Sequence, residues 1–123
     1  MSKRSIVLLV VVALVAVFVA ACGGGSTGGA PGAGLNVTVT HTEFKIDPAD
    51  INATPGQTIN VTQVNKGSIQ HRWVLPAANI QLTMDPGQTV TKTFTAPAAG
   101  TYDLFCDVPG HKEAGMMGKL IVK

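Results

Sequence analysis

Beyond its first few residues the sequence carries no excess charge of either sign. Lys and Arg number nine and Asp and Glu seven in 123 residues, a formal +2. Two of the basic residues, Lys3 and Arg4, precede a long apolar run. The remainder holds seven basic and seven acidic residues and is formally neutral. A nucleic-acid binder would show a basic face or stripe, so that class is excluded. Cysteine is scarce too. Of the two, Cys22 closes the apolar run, which leaves Cys106 alone and excludes a disulfide within the part that follows. There are three histidines, His41, His71 and His111. No stretch holds the sustained 3.6-residue apolar period of a long amphipathic helix.

What is present begins with a leader. Met1 to Arg4 is a short positive region, and the run from Ile6 to Ala21 is apolar without a break. That run falls short of the roughly 20 residues a transmembrane helix needs, whereas a cleavable secretory signal has this length and ends in small residues. Val19-Ala20-Ala21-Cys22 resembles the lipobox of bacterial lipoproteins, in which the cysteine is acylated and becomes the new N-terminus. The plainer alternative is an uncleaved anchor. Either way the chain is expected to lie outside the cytoplasm, lipid-anchored to a bacterial membrane, periplasmic or at the outer cell surface. The organisation expected is a signal peptide over 1–21, the lipid-anchored Cys22 with a flexible linker over 22–34, and one domain over 35–123. More than half of the stretch from Gly23 to Gly34 is glycine. A coil of that length reaches about 20 Å root-mean-square.

The domain reads as strands. Leu35 to Thr40 and Thr58 to Thr62 alternate apolar with polar residues, the period of a half-buried strand. Val90 to Thr95 does so less regularly. Tyr102, Leu104 and Cys106 share one face of a further strand, and Leu120-Ile121-Val122 closes the chain. Val and Thr dominate these segments and favour strands. Turn signals separate them at Thr54-Pro55-Gly56-Gln57, Asn65-Lys66-Gly67-Ser68, Asp85-Pro86-Gly87-Gln88 and Ala99-Gly100. Short strands so spaced predict an all-β antiparallel sandwich or barrel. Pro76 to Leu82 reads as a loop or a short helical turn. A domain this small buries roughly 60–65% of its unfolded surface.

An unpaired cysteine outside the cytoplasm needs protection from oxidation. Burial is one protection and a metal is another. The residues after Cys106 point to the metal, because they read Cys106-x4-His111-x4-Met116, thiolate, imidazole and thioether on one loop. Two His, one Cys and a weak axial Met make the blue-copper donor set. The second histidine must come from elsewhere, and His71 is the candidate. His41 alone reads as a surface or core histidine. Met116 and Met117 alone read as core residues, and Cys106 alone as an inert thiol.

Here the sequence resembles the plastocyanin/azurin family of cupredoxins, and auracyanin-type members most. The resemblance covers 35–123. It is carried by Gly100-Thr101-Tyr102, Phe105-Cys106, Pro109-Gly110-His111, Gly115-Met116 and Gly118-Lys119-Leu120-Ile121-Val122. It implies a Greek-key β-sandwich with one copper ion at one end, cycling between Cu(I) and Cu(II). Carried over residue by residue, it implies the ligands His71, Cys106, His111 and Met116, with Met117 the alternative axial donor. The family commonly has Asn after the first histidine, tied to the polar residue after the cysteine. Arg72 and Asp107 stand there instead, so an ion pair is expected to replace the tie.

The function expected is a membrane-tethered one-electron carrier, monomeric, working between redox partner proteins. It is not an enzyme, since a catalytic copper site needs more histidines than His41. The alternative is copper storage or delivery. His111 is expected to show a partly exposed ring edge among Val108, Pro109, Gly110, Ala114, Gly115 and Met117, as the surface a partner meets.

Overall fold

The computed structural model describes residues 33–123. The expected signal peptide, Cys22 and all but the last two linker residues lie outside them. Among the described residues, nine strands form two sheets. They are β1 (Leu35–Thr42), β2 (Lys45–Asp47), β3 (Asp50–Ala53), β4 (Thr58–Asn65), β5 (His71–Leu75), β6 (Ile80–Met84), β7 (Thr89–Thr95), β8 (Gly100–Cys106) and β9 (Met117–Val122). One sheet runs β2-β1-β4-β7 and the other β3-β9-β8-β5-β6. The all-β sandwich expected from the sequence is the fold observed. It departs from a purely antiparallel one in two places. β1 pairs parallel with β4 and β3 parallel with β9, because the chain leaves the first sheet after β2 and enters the second at β3.

Period-two patterning builds the core. In β4 the residues Ile59, Val61, Gln63 and Asn65 all turn inward. Ile59 and Val61 are apolar, and the alternation then carries two polar side chains to the interior at the far end of the strand. Trp73, Leu75, Met84, Leu104 and Leu120 fill the centre with no exposure to solvent. Full burial of one such aliphatic side chain contributes about 1.5–3 kcal/mol. Pro76–Ala78 forms a short 3-10 turn, and Ile80–Met84 after it is a strand. The turn ends at Asn79 in the left-handed region (φ 53°), a conformation asparagine tolerates better than most residues.

Two connections place the site. β5 and β8 are antiparallel neighbours with Trp73 opposite Cys106. The start of β5 and the end of β8 therefore meet at one end of the sandwich. β8 also pairs with β9, Phe105 opposite Met117, so the segment between Cys106 and Met117 is a closed loop at that same end.

Candidate metal centre

His71 opens β5, Cys106 ends β8, and His111 lies on the loop between β8 and β9. One ligating atom from each lies within 4.8 Å of the other two. The His71 and His111 Nδ1 atoms are 3.3 Å apart, and the Cys106 Sγ is 3.4 Å from His111 Nδ1. His71 and Cys106 are fully buried and His111 is 6% exposed. Three soft or borderline donors thus converge in a dry place, which suits a transition metal with affinity for thiolate and imidazole. A structural zinc site would normally bring four Cys or His ligands, and three are gathered here.

The loop is held by its own backbone. The Cys106 N–H donates to the Met116 carbonyl (2.9 Å), Met116 N–H to the His111 carbonyl (3.0 Å), and His111 N–H to the Val108 carbonyl (3.0 Å). Gly110 and Gly115 turn it at φ 83° and 105°, a region costly for residues with a Cβ. Cys106 receives a further donor, the Arg72 backbone N–H, 3.3 Å from Sγ. A donor to the sulfur stabilises thiolate and tunes any metal it holds.

Met116 is fully buried, while Met117 is 48% exposed. Met117 stands on the outer face of β9, where it lines a shallow cleft with Phe105, Lys112 and Lys119. That removes it as an alternative donor. The ring expected to be partly bare is largely covered: His111 is 6% exposed, and the Phe44 ring lies against it in a T-shaped pair with centroids 5.4 Å apart.

Arg72 and Asp107 form an ion pair through Arg72 Nε and Asp107 Oδ1. Asp107 holds the guanidinium above its ordinary pKa, through the hydrogen bond first and its charge second. Both side chains are partly exposed, at 40% and 28%, so the pair fixes geometry more than it stabilises the fold.

Four residues with parts in this centre escape a reading of the sequence as functional. Asn65 joins three segments: its Nδ2 donates to the Ile69 and Met84 carbonyls (2.8 and 3.0 Å), and its Oδ1 accepts from Gly67 N–H (2.8 Å). This shapes the loop that leads to His71. His41 is fully buried, shares a hydrogen bond with Gln63 through Nε2, and stacks on His71 (centroids 5.9 Å, 29° between planes). Phe44 is the fourth. Polar residues continuing a strand alternation, like Gln63 and Asn65, were the available signal.

Burial pushes the His41 and His71 imidazoles below their ordinary 6.5. For His71, the neighbouring His111 and His41 lower it further and Glu43 opposes; for His41, the Gln63 bond opposes. The folded metal-free protein therefore binds fewer protons at these rings than the unfolded chain does. Its stability is full above 6.5 and falls as pH drops below that value. Urea midpoints of the metal-free protein at about pH 7.5 and about pH 5 should show the loss at the lower pH. Equal midpoints would contradict it.

The family model of the cupredoxin-like domain matches residues 7–122. Auracyanin-A of Chloroflexus aurantiacus is 34% identical over 97% of this chain and 96% of its own length. The copper-resistant cuproprotein CopI of Rubrivivax gelatinosus is 30% identical over 65% of this chain and 61% of its own. Among solved structures, dithionite-reduced auracyanin from the photosynthetic bacterium Roseiflexus castenholzii superposes with a TM-score of 0.67. It is 28% identical over 75% of this chain and 99% of that one.

Proposed function

The chain belongs to the cupredoxin-like domain family, and on that footing we propose that it is a blue copper protein carrying single electrons between redox partners outside the cytoplasm, tethered to a membrane by lipid on Cys22. The observation that carries the reading is the convergence of His71, Cys106 and His111 within 4.8 Å, all buried. These three would hold the ion, with the buried Met116 the further donor that the family pattern implies. Copper bound there would supply a one-electron couple between Cu(II) and Cu(I).

The residues of the chain do the rest. A carrier works best when its ligands shift little between oxidation states. The backbone bonds of the Cys106–Met116 loop and the Arg72 N–H on Cys106 hold the donors in place before any metal arrives. Trp73, Leu104 and Met116 exclude water from the centre, which strengthens each electrostatic interaction inside it. Electrons enter and leave through the end of the sandwich that bears the loop. Pro109, Gly110, Ala114 and Gly115 are exposed there and carry no charge, while Lys112 and Glu113, exposed between them, carry opposite charges. Redox encounters use small interfaces of this kind.

An electron self-exchange measurement tests this surface, because two copies must meet face to face. Ala114→Glu should slow self-exchange by roughly tenfold or more through like-charge repulsion at the contact, with the visible spectrum unchanged. Exchange at the wild-type rate would place the contact elsewhere.

The tether rests on the sequence of the leader, with its positive start, its unbroken apolar run and Val19-Ala20-Ala21-Cys22. Expressed in a bacterium, the protein should partition with membranes, and Cys22→Ser should remain as uncleaved precursor without the lipid mass. A Cys22→Ser protein processed and located as wild type would contradict the anchor.

Copper storage or delivery is the second reading, and the similarity to a copper-resistance cuproprotein favours it. A delivery site must give up its metal readily. Full burial of His71 and Cys106 and a pre-tied loop argue for retention.

A further inference from the structure

One short segment touches both histidines of the metal centre without belonging to it. β1 and β2 are joined by the tight turn Glu43-Phe44, with Thr42 opposite Lys45. His41, shortly before Phe44, stacks on the His71 ring and is itself fixed by Gln63. The Phe44 and His111 rings form a T-shaped pair, their planes at 88°. The Glu43 carboxylate accepts from the Ser68 backbone N–H and from Ser68 Oγ (2.9 Å). Lys66 N–H donates to the His41 carbonyl (2.8 Å). The last two contacts hold the loop that delivers His71.

Phe44 holds this place against its backbone preference. Its φ is 61°, a region where a bulky side chain is strained and glycine is not. Phe44 is 47% exposed, whereas the His111 it meets is 6% exposed. An apolar ring left half in water on a strained backbone gains little from burial. The contact that sets it apart is the one with His111, since edge-to-face pairs add attraction beyond buried area.

We propose that His41–Phe44 is a clamp that positions both histidine ligands from outside the donor set, an inference that rests on the copper reading above. His41 backs the ring plane of His71. Phe44 fixes the ring of His111 and keeps water from its edge. Glu43 secures the approach to His71. None of the three is a ligand, so the clamp acts on ring orientation and on metal retention.

The test compares wild type, Phe44→Ala and Phe44→Tyr as full chains, with and without copper. In the metal-free proteins, amide hydrogen exchange is followed at His111 and Met116, whose N–H groups are bonded within the loop. In the Cu(II) proteins, metal loss to excess EDTA is timed. Phe44→Ala should speed both, metal loss by roughly tenfold, the factor an edge-to-face pair accounts for at its upper range. Phe44→Tyr keeps the ring edge and should match wild type. A second comparison reads His41 through the reduction potential. His41→Ala should shift it, and His41→Phe, which keeps a flat ring under His71, should restore most of the wild-type value.

Wild-type exchange and wild-type metal loss in Phe44→Ala would overturn the clamp. Phe44 is half exposed, so its variants fold and decide the matter even where His41→Ala does not. The copper reading fails separately: a wild-type protein that stays colourless with Cu(II) ends it, and the metal-free exchange comparison still decides the clamp.

Discussion

Cys106→Ala should bind copper more than about 100-fold more weakly than wild type and show no intense visible band, while its metal-free form stays folded. Outer partners of metal ligands already account for roughly 10- to 100-fold in affinity, so loss of the thiolate itself exceeds that. The band arises from charge transfer between thiolate and copper, and Cys106 is the single cysteine of the described residues. The fold has other supports. Cys106 is a small, fully buried side chain beside Trp73 and Leu104, and removing its sulfur costs about 1 kcal/mol for the truncation and about 1–3 kcal/mol for the Arg72 N–H that loses its acceptor. The hydrogen bonds that use its backbone and anchor Met116 do not involve the thiol. Absorption after adding Cu(II), together with a thermal melt of the metal-free variant, separates the effects. A variant that keeps the intense band would place the thiolate ligand elsewhere and dismantle the site.

Gly118→Ala should destabilise the protein by about 3 kcal/mol or more, the upper range for forcing atoms into a packed position. A Cβ at Gly118 would land on the Ala49 carbonyl group, 2.6 Å from its carbon. The obstacle is backbone, so no side chain can turn away. Relief requires β9 to move from the segment before β3. That movement breaks the bonds from Lys119 N–H to the Ala49 carbonyl (3.2 Å) and to Asp50 Oδ1 (3.1 Å). It also displaces the parallel register of Asp50 with Lys119. Gly118 follows closely on Met116, so the same shift reaches the metal loop. A denaturant midpoint close to wild type would show that the crossing at Ala49 has room that the structure does not indicate.

The strands that were legible in the sequence are those with a long regular alternation. β1, β4, β7, β8 and β9 each carry several apolar or β-branched residues on one face. β2 and β3 were not, because each is short and presents little to the core: Ile46 alone in β2, Ile51 and Ala53 in β3. What makes them strands is a neighbour far away in sequence or in another sheet position, β1 by a hairpin and β9 by parallel pairing. β6 was hidden for a similar reason. Pro76 and Asn79 spoke for a turn, and the buried Ile80 and Met84 are separated by half-exposed or exposed residues.

The metal loop could be read because its donors fall within one short segment, Cys106 to Met116. His71 needed the family resemblance, and the structure then joins it to Cys106 and His111 through the pairing of β5 with β8. That pairing also accounts for the Arg72–Asp107 contact, since antiparallel strands that oppose Trp73 to Cys106 bring the next positions, 72 and 107, side by side. Phe44 and His41 could not be read. Nothing in Thr42-Glu43-Phe44-Lys45 announces that a hairpin tip reaches His111, in the far half of the chain. Only the closure of one sheet over the other does that.

On the proposed function, buried His71, Cys106 and His111 form one rigid copper site suited to electron transfer. Titration of the wild-type protein with Cu(II), followed by visible absorption through one cycle of reduction and reoxidation, tests it most directly. An intense thiolate-to-copper band should saturate at one copper per chain, bleach on uptake of one electron and return in full. A colourless complex, or one that releases its copper on reduction, would contradict it and bring the copper-delivery reading forward.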